Sequence, residues 1–327
     1  MFVPRTGPWH VVWLVLVLVF ISGVPRANGY PPLEDDGSYP VIRSVLSCPI
    51  CHQSNGRIVD GDVPKGKKCV GCHTPDGSAV PLRVAARAHP SNGHAQRVRT
   101  AGMVNIPGGP FIIGYDNRHP DEKPAHTISL PAFQIDTYEV TNGQYKLFVD
   151  ATNRRLPDDW ENGTYPPGKR SHPVVFVTWN DAHDFCVWAG KRLPTEEEWE
   201  KAARGTDGRL YPWGNEFDPR KANMPQSHSV GTMPVGSFPQ GRSPYGVYDM
   251  AGNVWEWTDS WAKPYPGSPI PTAHYFTGEY KVLRGGSWVD CSFYRCGISA
   301  LTFNRGYFKP TTKNQGFGFR CAKDAEP

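Results

Sequence analysis

Several features are scarce in this 327-residue chain, and each absence removes a class of function. Long apolar runs are missing. The stretch Val11–Ile21 holds eleven apolar residues, too few to span a bilayer. One-sided charge is missing too. The net charge is +4 and no basic run or basic helix stands out, which argues against a nucleic-acid partner. No Ser-His-Asp arrangement is visible. The glycine pairs Gly108-Gly109 and Gly285-Gly286 do not open a helix, so neither reads as a phosphate loop. Helical periodicity is also scarce beyond Gly205.

The chain is rich in turn formers and indoles, with 34 Gly, 33 Pro and 11 Trp, a composition that favours ordered loops over a helical bundle. Residues 1–29 read as a signal peptide. Arg5 and His10 precede the apolar run, and small and turn residues follow through Ala27-Asn28-Gly29. The mature protein is therefore expected to be exported, periplasmic or extracellular, with no membrane span after cleavage and in a compartment where disulfides persist.

Residues 30–100 read as a separate, small and irregular cofactor-binding segment. It carries Cys48-Pro-Ile-Cys51-His52 and Cys69-Val-Gly-Cys72-His73. Cys-x-x-Cys-His in an exported chain reads as c-type haem attachment, with thiols bonded to the porphyrin and histidine on the iron. Two bis-histidine haems need four histidines, and His52, His73, His89 and His94 supply them. The same cysteine spacing fits a four-cysteine zinc ribbon, and two local disulfides are the plainest alternative.

Residues 101–325 read as the main domain. Val104–Gly114 forms two short strands around Pro107-Gly108-Gly109. A helix is expected over 142–152, capped by Thr141, with Tyr145, Phe148 and Val149 on one face. A second runs near Asp181–Ala189 and ends at Gly190. A third has Thr195 as cap, Glu198 completing a capping box and Gly205 as its stop.

Six motifs occur in order: Val175–Gly190, Lys191-Arg192-Leu193-Pro194-Thr195-Glu196, Tyr211-Pro212-Trp213-Gly214, Gly252-Asn253-Val254-Trp255-Glu256-Trp257, Arg284-Gly285-Gly286-Ser287-Trp288 and Gly318-Phe319-Arg320. From about Gly102 to Asp324 the chain resembles the formylglycine-generating enzyme (sulfatase-modifying factor) family. The resemblance implies a C-type-lectin-like α+β fold with little regular structure, held by calcium and disulfides. It implies a Cys186–Cys321 disulfide. It also implies one calcium ion among the Asp249 and Glu256 side chains and the Gly252 and Val254 carbonyls. A second calcium would begin at Asn223 and Met224, but its acidic ligand would fall in 227–231, which has no Asp or Glu.

In the enzymes of this family a Cys-x4-Cys pair binds copper(I), oxygen is activated, and a cysteine of a sulfatase becomes formylglycine. Cys291 and Cys296 keep that spacing, with Ser287 and Trp255 as neighbours, and soft thiolates suit copper(I). Here two residues, Val289 and Asp290, separate Trp288 from Cys291 where the enzymes have one. Non-catalytic relatives lack the pair, and an ordinary disulfide is the plain alternative. Three readings follow. The first, favoured because two haem motifs are fused to the domain, is an exported redox or accessory protein with a redox partner. The second is a copper-dependent formylglycine-generating oxidase with a sulfatase-like substrate. The third is a non-catalytic binding module with a zinc ribbon.

Overall fold

The structure is a computed structural model that describes residues 102–227, 229–289 and 299–325. The signal peptide, the Cys-x-x-Cys-His segment with His89 and His94, and the pair Cys291 and Cys296 lie outside the described residues.

The fold is mixed α+β, with three helices and three small sheets among these residues. Strand β1 (Met103–Ile106) pairs antiparallel with β4 (Phe133–Asp136), which pairs with β9 (Ala322–Asp324). Strands β2 (Gly109–Ile113) and β3 (His126–Leu130) form a second sheet. The strands flanking Pro107-Gly108 therefore belong to different sheets. The third sheet runs β7 (Gly306–Phe308), β6 (Lys281–Arg284), β5 (Trp255–Trp261), β8 (Phe317–Gly318), with β5 and β8 parallel.

Helix α1 (Asn142–Thr152) follows Thr141, whose hydroxyl accepts from Gln144 N while the Gln144 side chain reaches back. Helix α3 (Glu196–Arg204) has the same reciprocal cap from Thr195 and Glu198 and ends at Gly205. Each cap satisfies two of the backbone donors that a helix start leaves open. Helix α2 (Trp179–Trp188) begins two residues before the expected Asp181. Thr178 caps it and Asp181 closes the box at its third position.

The faces of α1 and α2 bury Tyr145, Phe148, Phe185 and Cys186 against Trp257, Phe319 and Cys321. Tyr145 stacks on Phe185 at 5.7 Å, and Phe319 meets Phe185 edge-on at 5.3 Å. The Cys186–Cys321 disulfide ties α2 to the last strands across 135 positions. In the chain-entropy account a loop of that length gives about 5 kcal/mol of stabilisation. Among the described residues no helix is long and apolar enough to cross a membrane.

Candidate functional site

The site is built where the turn 249–254 meets the turn 284–288. Asp249, Gly252 and Asn253 all take positive φ, at 56°, 74° and 61°. At Gly252 a Cβ would sit 2.2 Å from the Asn223 carbonyl, so only glycine lets the two backbones approach. Gly285 and Gly286 are also left-handed, and a Cβ on Gly286 would meet Ser299 at 2.7 Å. Two hydrogen bonds join the turns. Gly252 N donates to Gly285 O at 2.8 Å, and Trp288 N donates to Asn253 O at 3.2 Å.

This pairing brings the Ser287 hydroxyl and the Trp255 backbone to Gly316, while the Trp255 ring packs over Gly306 in β7. Trp255 N donates to Gly316 O at 2.7 Å, and a Cβ on Gly316 would lie 3.0 Å from Ser287 Oγ. Ser287 Oγ accepts from Val289 N at 3.3 Å. Trp288 Nε1 donates to Gln315 O at 3.3 Å. The chain leaving this point leads directly to Cys291.

Asn253 is 2 % exposed and its amide is fully engaged. Its Oδ1 accepts from Met233 N at 2.9 Å and Asn223 Nδ2 at 3.0 Å, and its Nδ2 donates to Glu139 Oε1 at 3.0 Å. The left-handed residue therefore ties the Trp288 turn to a buried acidic cluster.

That cluster contains Glu139, Asp249 and Glu256 around one cation, Arg320. Glu256 is fully buried, and both its oxygens accept from the Arg320 guanidinium at 2.6 Å. Its Oε2 also accepts from Trp199 Nε1 at 2.8 Å. The expected ligand Glu256 thus faces Arg320, and one lone pair of Oε1 remains. Asp249 Oδ2 accepts from Gly236 N at 2.6 Å. Glu139, 1 % exposed, stands against Asp249, and its Oε2 finds no donor among the described residues. Burial, and then the charge of Asp249, hold the Glu139 carboxyl well above the usual range. Burial also pushes Asp249 up. Sequence reading missed Glu139. The available signal was an acid between Tyr138 and Val140, flanked by apolar positions and next to a helix cap.

At the other expected cation position, Ser227 Oγ donates to Met224 O at 2.7 Å and lies 3.5 Å from Asn223 Oδ1. A serine hydroxyl thus meets the two oxygens that an ion would take. No group of three His, Cys, Asp or Glu side chains is arranged to hold a metal among the described residues. Any cation at the Asp249 site would therefore depend on backbone oxygens.

The family described as sulfatase-modifying factor enzyme 1-like domain matches residues 89–325. The chain belongs to the sulfatase-modifying factor family. It is 37% identical to the formylglycine-generating enzyme of Streptomyces coelicolor, over 74% of this chain and 95% of that protein. It is 35% identical to the inactive C-alpha-formylglycine-generating enzyme 2 of Bos taurus, over 69% of this chain and 89% of the relative. The structure of PvdO from Pseudomonas aeruginosa superposes with a TM-score of 0.57 at 30% identity, covering 68% of this chain and 94% of that one. A formylglycine generator and an inactive relative match about equally well. Membership in the sulfatase-modifying factor family therefore leaves the activity to the site residues.

Proposed function

We propose that this member of the sulfatase-modifying factor family is a copper-dependent formylglycine-generating oxidase acting on a cysteine of sulfatase-type proteins. One observation carries the reading. Ser287 Oγ and the Trp255 backbone meet at Gly316, and Ser287 precedes Cys291 by four positions in the chain. The long-range disulfide supports it, because it takes Cys186 and Cys321 and leaves that pair as the domain's other cysteines. The overall change is balanced as follows. The substrate side chain CH2–SH, O2 and two molecules of a thiol reductant give an aldehyde, hydrogen sulfide, water and the disulfide of the reductant, which supplies the two electrons and two protons. Copper(I), held by the thiolates of Cys291 and Cys296, would supply the oxygen chemistry. Ser287 would hold a hydroxyl near the copper thiolates, and the buried Trp255 ring packs against Gly306 of β7. The expected result is that mild reductant frees two thiols per chain, at Cys291 and Cys296, and that copper(I) then protects both from alkylation. A pair that stays oxidised, or alkylation unaffected by copper(I), contradicts the reading.

The acidic cluster is proposed to hold one calcium ion. Asp249 and the Gly252 and Val254 carbonyls would bind it, with the remaining Oε1 lone pair of Glu256. Oxygen donors of this kind suit a hard cation, and the orphaned Glu139 Oε2 fits that demand.

The two Cys-x-x-Cys-His motifs favour two c-type haems in an exported redox protein. Two one-electron carriers match the two electrons that the oxidation consumes. Covalent haem stain and reduced-minus-oxidised bands of c type are expected. A colourless protein with stoichiometric zinc contradicts this part.

A further inference from the structure

Residues 231–237 form no helix or strand and are held by two sets of hydrogen bonds. The first set reaches the acidic cluster and its frame. Met233 N donates to Asn253 Oδ1 at 2.9 Å, Gly236 N donates to Asp249 Oδ2 at 2.6 Å, and Gly231 O accepts from Asn223 Nδ2 at 3.0 Å. The second set reaches the turn 169–172. Val235 N donates to Ser171 O at 3.0 Å, Lys169 Nζ donates to Thr232 O at 3.3 Å, and the Thr232 hydroxyl stands 3.1 Å from His172 Nδ1.

His172 joins the members of the second set. Lys169 Nζ lies 3.2 Å from the same Nδ1. An ammonium can only donate, so Nδ1 is the acceptor and the ring proton sits on Nε2. One lone pair thus serves Lys169 and the Thr232 hydroxyl together, and only neutral imidazole provides it. His172 is 9 % exposed. Burial, and then the Lys169 charge, hold its pKa below the ordinary histidine value.

Few other charges bear on the ring. Asp159, after α1, acts on Lys169. Arg170 lies against Gly143 at the start of α1, and α1 meets His172 through Asn142 N, which donates to His172 O at 2.9 Å. Residues 231–237 carry no titratable side chain. The carboxylate they touch, Asp249, is reached through Gly236.

We infer that His172 and Lys169 form an acid-released latch on residues 231–237. Protonation puts a hydrogen on Nδ1, and two cations then face each other where a donor met an acceptor. Lys169, half-buried, turns to solvent and takes its bond to Thr232 O with it. Released at that end, the segment gives up the Gly236 N–H bond and opens Asp249, 7 % exposed when latched, to water. The latched form is favoured above the ordinary histidine value, about 6.5, and loses that advantage as pH falls below it. Neither copper nor the Cys291 and Cys296 pair takes part.

The test is hydrogen exchange of the full chain at pH 7.5 and pH 5, at one calcium concentration. It is read by mass spectrometry on a peptide covering 231–237 and corrected for the pH dependence of intrinsic exchange. Wild-type protection is expected to fall at least about fivefold at the lower pH. His172→Asn puts an amide oxygen near the Nδ1 position and does not titrate, so its protection should stay within about twofold. Lys169→Met removes the cation opposite Nδ1. Its protection should sit near the acid wild-type level at both pH values, again within about twofold, and it carries the test where His172→Asn does not fold. A smaller fall in the wild type overturns the latch. A fall larger than about twofold in either folded variant also overturns it and passes the pH response to another group such as Asp249.

Discussion

Two buried charge clusters share helix α3 as a neighbour and are neutralised in opposite ways. In one, Glu196 and Glu200 face three guanidiniums, those of Arg204, Arg284 and Arg305. The surplus positive charge rests on backbone carbonyls. Arg204 reaches Gly114 O at 2.7 Å, Arg284 reaches Thr302 O at 3.3 Å, and Arg305 reaches Asp121 O at 2.8 Å and Lys263 O at 2.9 Å. In the other, Glu139, Asp249 and Glu256 face Arg320 alone. Backbone N–H groups are mostly committed to secondary structure, and only Gly236 N reaches Asp249. Carbonyls have a second lone pair to give to surplus cations, whereas surplus carboxylates need a proton or a metal. The first cluster has cations enough for its carboxylates, although Glu200 Oε2 and Arg284 Nε make no hydrogen bond among the described residues. The second has more buried carboxylates than its guanidinium balances.

Arg320→Ala should have the largest effect. It strips the guanidinium that neutralises this cluster among the described residues, so a loss at the upper end of about 3–5 kcal/mol is expected, on the order of 10 °C in melting temperature. Millimolar calcium should restore part of it. Arg284→Ala should cost about 3 kcal/mol with no response to calcium. Equal calcium responses in the two variants would erase the contrast.

Glu122 sharpens the comparison from the basic side. It is buried beside Arg118, with Oε1 at 2.8 Å from Nη1, yet burial still raises its pKa from 4.5 to about 7. The folded state therefore binds this proton more tightly than the unfolded state. The favourable contribution is full below pH 4.5 and is lost as pH rises through about 7. The difference corresponds to about 3 kcal/mol. Glu122→Gln should flatten that part of the stability–pH curve. An unchanged curve contradicts it.

Glu139→Gln gives a smaller effect. Removing one buried acid relieves repulsion in calcium-free protein, by about 1 kcal/mol, and should abolish the calcium-dependent rise in melting temperature. A calcium response equal to that of the wild type would move the ion elsewhere. Asn253→Ala removes the amide that links Glu139 to the Asn223 and Met233 segments. It should lower stability by about 1–3 kcal/mol and uncouple calcium from the reactivity of the Cys291 thiol.

Much of the frame was legible in the sequence because its signals are local. Thr195, Glu198 and Gly205 fix α3 within ten residues, and the Thr141 cap fixes α1. The start of α2 was misplaced because the apolar period begins at Ala182, while the cap that sets the boundary, Thr178, lies four residues earlier. The Ser287, Trp255 and Asp249 positions came from motifs. Arg320 stood in the Gly318-Phe319-Arg320 motif, but its carboxylate partners and the charge clusters were out of reach of the sequence. Glu139 meets Asn253 across 114 positions and Arg320 meets Glu256 across 64. No local pattern records which carboxylates a fold will bury together.

The formylglycine-generating reading is tested most directly by one experiment. Reduced, copper(I)-loaded protein is incubated in air with a sulfatase-type cysteine peptide and excess thiol reductant as electron donor, and the product is weighed by mass spectrometry. Conversion of the cysteine to an aldehyde, lost in both Cys291→Ser and Cys296→Ser, is the predicted result. A peptide that keeps its thiol under these conditions, while copper(I) is bound, would contradict it.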